Sequence, residues 1–256
     1  MKKSENTKKE TFISENNKKR LIKDIVDIMK TPLTEHGIFY THDQNNMFKG
    51  YAVLIGPKET PYSNGVYCFD FNFPTNYPYS PPKLTYLTND GTTRFNPNLY
   101  RNGKVCLSIL NTWKGEQWTA CQTIRSVLLT LITILHNKPL LNEPGIRESN
   151  KSFKKYNRII EYMNFKTSII KILRNKTGFY GKQNMCNENK VEIEKFICKS
   201  MEKNKTDILK KCEDLLKENP KEKEVYCPMY NMSANINYET LLANLNTLFK
   251  NPITMK

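Results

Sequence analysis

Phe73-Pro74-Thr75-Asn76-Tyr77-Pro78-Tyr79-Ser80-Pro81-Pro82-Lys83 divides the chain into two kinds of pattern. Its four prolines forbid regular structure, because each lacks an amide hydrogen and restricts the residue before it. Tyr77 and Tyr79 give the loop aromatic surface to bury. Upstream, Tyr67, Phe69, Phe71 and Phe73 alternate, as do Tyr51, Val53 and Ile55, and the turn-rich run from Gly56 to Gly65 separates them. Period-two runs joined by turns predict a meander of antiparallel strands. Further upstream, Leu21, Ile25 and Ile28 share one face of an amphipathic helix over 18–30 that Thr31-Pro32 ends. Downstream, a short strand near Leu84 to Leu87 precedes a stretch, 89–119, with no sustained period. A loop that long in a compact domain is usually functional. Ile124, Val127, Leu128, Leu131 and Ile134 then repeat at helical spacing and predict a central helix over 123–136. Helices are also expected over 152–173, 191–216 and 238–248, broken by Gly178, Gly181, Pro220 and Pro228.

Of 256 residues, 38% are hydrophobic and 11% aromatic, enough to build a core and exclude a wholly disordered chain. The seven cysteines form no CxxC pair and no zinc-ligand spacing with histidine, so no metal site is expected. The first twenty residues are polar, and no later run approaches the roughly 18 apolar residues of a membrane span. A reducing compartment, cytoplasmic and/or nuclear, is the expectation. The net charge of +15 is uneven. Residues 1–20 hold seven basic and three acidic groups, and residues 151–176 hold eight and one. Charge of this kind fits a plain solvated face first and the steering of an acidic protein partner second, and alone it specifies no nucleic-acid contact, so no nucleic acid and no membrane are expected as partners.

Inside the long loop, Asn96-Pro97-Asn98 precedes Cys106 by an arm in which Asn102-Gly103 is a strong turn signal. A cysteine is the best nucleophile at neutral pH, and an amide is a neutral donor for a developing oxyanion. Residue types alone fit a small buried hydrophobe at Cys106 better, since Leu107, Ile109 and Leu110 follow it.

The ordered series of features resembles the ubiquitin-conjugating enzyme family. It comprises the opening Lys19-Arg20-Leu21-Ile22-Lys23 helix, Tyr51 to Pro57 with Pro61-Tyr62 and Gly65-Val66-Tyr67, the proline run, Asn96-Pro97-Asn98 with Cys106-Leu107, and Trp118 before the central helix. It spans about residues 18 to 173. Residues 94–110, the enlarged loop 111–118 and Asn142-Glu143-Pro144-Gly145 resemble an extended subtype of that family.

The resemblance implies an α+β fold with an N-terminal helix, a four-stranded antiparallel meander, a long active-site loop, a central helix and a helical C-terminal extension. The implied division is a flexible basic arm over 1–17, a catalytic domain over 18–175 and the extension over 176–256. Cys106 would bear the modifier as a thioester. Asn98 would steady the oxyanion or shape the loop, two roles that reading does not separate. Glu143 would help desolvate and deprotonate the incoming lysine. Lys19, Arg20 and Lys23 would meet the activating enzyme, and Tyr79, Ser80 and Thr119 would lie at the ligase-contacting surface. Implied partners are ubiquitin or a ubiquitin-like modifier, its activating enzyme, a ubiquitin ligase and protein substrates. No cofactor is implied, since ATP is consumed upstream. Two departures matter: Asn96 stands where the family motif has histidine, and Phe95 lacks the hydroxyl of the usual tyrosine. Thr119-Ala120-Cys121 also replaces the familiar run after Trp118, which leaves the ligase open.

Overall fold

The structure, a computed structural model, describes residues 13–174 and 185–253. Most of the expected basic arm and the boundary drawn at 175/176 lie outside the described residues. Helix α1 spans Glu15–Lys30 and starts earlier than its apolar stripe does, because Ser14 caps it by accepting from the Asn17 amide. Leu21, Asp24 and Ile28 face inward. Strands β1 (Ile38–His42), β2 (Lys49–Ile55), β3 (Val66–Asn72) and β4 (Lys83–Tyr86) pair in sequence order, all antiparallel. The expected meander is therefore present, and one line of partners crosses it: Tyr40, Ala52, Phe69 and Tyr86.

Strand β2 is buried from Gly50 to Leu54, so the sheet is covered on both faces. The second cover is a helix of the C-terminal extension, Asn187–Glu218, here α4. Phe196 of α4 stacks on Phe39 with centroids 5.0 Å apart. Asn189 donates to Thr41 Oγ1 at 2.7 Å and to the His42 carbonyl at 3.0 Å, and Thr41 donates to Glu192 at 2.6 Å. The buried amide is thus satisfied as it seals the strand.

The central helix α2 spans Ile124–Thr133, opened by a reciprocal cap between Thr123 and Ser126. The helix expected over 152–173 is α3 (Phe153–Met163) followed by a π-helical segment, Asn164–Lys171. Asn164 turns inward at that junction, accepting from Tyr67 Oη at 2.7 Å and donating to the Ser63 carbonyl at 2.9 Å. Gly65 permits the approach, since a Cβ there would lie 1.8 Å from Asn164 Oδ1.

The extension is not wholly helical as expected. Between α4 and α5 (Tyr238–Phe249) lies a hairpin of β5 (Lys223–Cys227) and β6 (Met232–Ile236). Its buried residues alternate, Val225 and Cys227 against Met232, Ala234 and Ile236, and it packs on α3. Period-two burial over five residues on each side of a Pro228 turn is what the helical reading passed over.

One glycine ties the sheet to the long loop. A Cβ on Gly56 would sit 1.8 Å from the Tyr62 carbonyl oxygen. Gly56→Ala is expected to lower the free energy of unfolding by about 3 kcal/mol, read by denaturant titration, because backbone rather than a movable side chain blocks the methyl.

Candidate active site

The arm after Asn96-Pro97-Asn98 folds back as its turn signal indicates. Tyr100 donates to the Lys104 carbonyl at 2.9 Å, Gly103 donates to that of Tyr100 at 2.9 Å, and Gly103 adopts a φ of 88°. Leu99 bridges Val105, which returns the chain to Asn98. The Cys106 amide donates to the Asn98 carbonyl at 2.9 Å, and Asn98 Nδ2 donates to the Cys106 carbonyl at 2.6 Å. Sequence reasoning paired these two residues, and the structure brings them into reciprocal contact.

Asn96 is saturated. Its Nδ2 donates to Tyr62 Oη at 2.9 Å and to the Ile134 carbonyl at 2.8 Å, while Oδ1 accepts from the Asn98 amide at 3.0 Å and Asn142 Nδ2 at 3.2 Å. All four hydrogen-bonding capacities of the side chain are used. Tyr62 Oη in turn donates to the Phe95 carbonyl at 2.7 Å. At the position where the motif usually carries histidine, an amide thus holds the loop to α2 and to the turn before Glu143. Phe95 is buried, edge-on to Tyr67 at 6.2 Å.

A nucleophile of the kind the resemblance implies needs an accessible sulfur, and Cys106 is instead only 1% exposed. It is nevertheless not among the residues of the continuous apolar core, to which its neighbours Val105 and Leu107 belong. Those neighbours draw the backbone inward, and the bonds to Asn98 hold it there. Of the other cysteines, Cys68 and Cys212 have thiols pushed up to about 12 by burial, and burial raises Cys227 as well. Thiols held protonated in this way are poor nucleophiles.

Glu143 is half-buried after the turn Pro139–Asn142. Asn142 fixes the turn, donating to Asn96 and to the Ile134 carbonyl at 3.1 Å. Glu143 accepts a hydrogen bond from Tyr230 Oη, at the hairpin tip. Arg94 lies beside it with its guanidinium 3.2 Å from the Tyr100 ring centroid and 5.0 Å from that of Tyr230. Tyr230, Arg94, Tyr100, Tyr62 and Asn142 were missed by sequence reasoning. Tyr230, Tyr62 and Asn142 come in through long-range contacts, and Arg94 and Tyr100 through contacts within the aperiodic loop, where no local period signals them.

On α1, Lys19 and Lys23 point outward, whereas Arg20 is half-buried with its guanidinium turned to partners within the chain. Its guanidinium binds Asp24 at 3.0 Å and the carbonyls of Ala120 at 2.6 Å and Gln122 at 2.8 Å. Asp24 is buried and also accepts from Tyr77 Oη at 2.5 Å, so Arg20 neutralises a carboxylate that would otherwise be unpaired. Trp118 Nε1 donates to the Pro78 carbonyl at 2.6 Å. That bond sets Tyr79, 72% exposed, and Ser80 beside exposed Thr119 on one rim. Among the described residues no cluster of His, Cys, Asp and Glu could hold a metal ion, and no helix is long and apolar enough to cross a membrane.

A family model described as ubiquitin-conjugating enzyme matches residues 20–164. Ubiquitin-conjugating enzyme E2 Z of Xenopus tropicalis is 39% identical over 160 residues, covering 61% of this chain and 50% of that protein. The Homo sapiens protein of the same name is 39% identical over 160 residues, covering 61% and 45%. The dual E2 ubiquitin-conjugating enzyme/E3 ubiquitin-protein ligase BIRC6 of Homo sapiens is 36% identical over 171 residues, covering 61% of this chain and 4% of that one. A solved structure of human ubiquitin-conjugating enzyme E2 G1 aligns with a TM-score of 0.42 and 28% identity, covering 48% of this chain and 97% of that one. The chain spans about half the length of the E2 Z relatives it matches. Matched over more than half its residues, the chain belongs to the ubiquitin-conjugating enzyme family.

Proposed function

We propose that this chain accepts ubiquitin or a ubiquitin-like modifier from an activating enzyme as a thioester on Cys106, then passes it to a substrate lysine or to a ligase. The reciprocal hydrogen bonds between Asn98 and Cys106, which put an amide donor at the only cysteine in the long loop, carry this reading. In charging, the Cys106 sulfur attacks the carbonyl of the activating enzyme's thioester and that enzyme's thiolate leaves. In transfer, a lysine amine attacks the new thioester, an amide forms, and Cys106 thiolate leaves. The second step runs downhill without ATP because a thioester lacks amide resonance. Lysine has a reference pKa of about 10.4, so the attacking amine must lose a proton, and Glu143 is the carboxylate we assign to take it.

We take residues 18–175 as the catalytic unit and 176–256 as an extension, of which the described elements between 187 and 249 pack against that unit. Lys19 and Lys23 speed encounter with an acidic surface of the activating enzyme. Tyr79, Ser80 and Thr119 form the rim a ligase would cover. With Cys106 closed to solvent, charging includes a yielding of that part of the loop. The test is incubation with activating enzyme, ATP and modifier across a panel of both. A reductant-sensitive adduct of one modifier mass is expected on a non-reducing gel. No adduct with any pair, while a control conjugating enzyme charges, would overturn the proposal.

A further inference from the structure

The hairpin of the extension turns at Pro228–Asn231, and its tip lies on the rim of the site. The buried residues of the two strands are Val225, Cys227, Met232, Ala234 and Ile236, and the hairpin packs on α3, with Tyr230 reaching beyond them from the tip. Tyr230 and Asn231 adopt φ values of 61° and 47°. Asparagine tolerates that region, whereas an aromatic residue is disfavoured there and persists only when its surroundings fix it.

Those surroundings are the site itself. The Tyr230 carbonyl accepts from Arg101 Nη2 at 2.5 Å. Its ring meets the Arg94 guanidinium and stands edge-on to Tyr156 at 6.0 Å. Arg94 also donates to the carbonyls of Asn96 at 3.1 Å and Pro97 at 2.7 Å, and its own carbonyl accepts from Tyr156 Oη at 2.7 Å. The Arg94 amide donates to Met232 Sδ at 3.1 Å. The tip therefore joins the loop before Cys106, α3 and the turn that carries Glu143. Its hydroxyl goes to one group, the Glu143 carboxylate. Burial first, then that carboxylate, pushes the Tyr230 phenol well above its ordinary value, so it remains a donor at any working pH.

We infer that Tyr230 is a positioning residue of the transfer step: from the C-terminal extension, its hydroxyl holds the Glu143 carboxylate aimed at the incoming lysine amine. The inference rests on the assignment of Cys106 and Glu143 proposed above. The groups around Tyr230 are Glu143, Arg94, Arg101, Tyr100 and Tyr156, and the two arginines remain in place when only the hydroxyl is removed.

The experiment uses the full chain, charged on Cys106 and then chased with free lysine over a range of lysine concentrations. Wild type is compared with Tyr230→Phe, Glu143→Gln and the double variant. Tyr230→Phe is expected to charge at the wild-type rate and to discharge about fivefold to tenfold more slowly near neutrality. The loss is expected in the discharge rate at saturating lysine, not in the lysine concentration that half-saturates it. In the Glu143→Gln background, Tyr230→Phe is expected to cost nothing further. An unchanged discharge profile would overturn the inference alone, since charging is read separately. Faster discharge would do the same and mark the tip as a lid. Losses that multiply in the double variant would show that Tyr230 does not act through Glu143. A wild-type chain that fails to charge removes the parent reading and this one together.

Discussion

Cys106→Ser is expected to replace a reductant-labile adduct with one that survives thiol treatment, and Cys106→Ala to abolish the adduct. A thioester exchanges with added thiol, whereas an oxyester of serine does not, so the pair identifies both the residue and the bond. Serine matches cysteine closely in size, and Cys106 makes its hydrogen bonds to Asn98 through the backbone, so the substitution leaves the loop in place. The competing attachment points are few. Cys68, Cys212 and Cys227 are buried with raised pKa values, and an exposed or half-exposed thiol is offered only by Cys121, Cys186 and Cys198. The outcome that sinks the assignment is an adduct that persists in Cys106→Ala and vanishes when Cys121 is replaced. Gel mobility under reducing and non-reducing conditions, with the adduct mass checked by spectrometry, reads all of these.

What could be read in advance follows from the range of the interactions concerned. The meander was legible because Tyr67 to Phe73 alternates and Pro74 to Pro82 ends it, both local signals. The turn at Asn102-Gly103, and with it the meeting of Asn98 and Cys106, was legible for the same reason. The inward partners of Arg20 were not legible, because Lys19-Arg20-Leu21-Ile22-Lys23 looks like any solvated helix face. Its partners, the carbonyls of Ala120 and Gln122, are 100 and 102 residues away. Tyr230 meets Glu143 across 87 residues, from a hairpin whose two short strands fall in the unassigned stretch between the helices expected over 191–216 and 238–248. The π-helical segment depends on an inward Asn164 that meets Tyr67 from 97 residues away, so no periodicity within α3 could announce it. The closure of Cys106 belongs with these: the apolar residues on either side of it were visible, but how far the fold draws them inward was not.

Asn98→Ala is expected to slow discharge to lysine by about a hundredfold to a thousandfold, the usual cost of removing one oxyanion donor, while leaving stability nearly unchanged. The second half of that statement separates the two roles open to this residue. Asn98 Nδ2 makes one good hydrogen bond, to the Cys106 carbonyl at 2.6 Å. Its Oδ1 is buried with no hydrogen-bond partner, a state that costs about 1–3 kcal/mol. Alanine removes the bond and the orphaned acceptor together, so the two changes offset each other to within about 1 kcal/mol. A side chain kept merely to shape the loop would not be expected to carry an unpaired buried oxygen. One kept for its amide hydrogens could, because Nδ2 has two of them and the second is available to an oxyanion on the thioester carbonyl. Asn98→Asp sharpens the test, since it keeps the shape and abolishes the donors, and it should discharge as slowly as alanine. If both variants instead lose charging, discharge and thermal stability in parallel, Asn98 acts on the loop and the oxyanion has another partner.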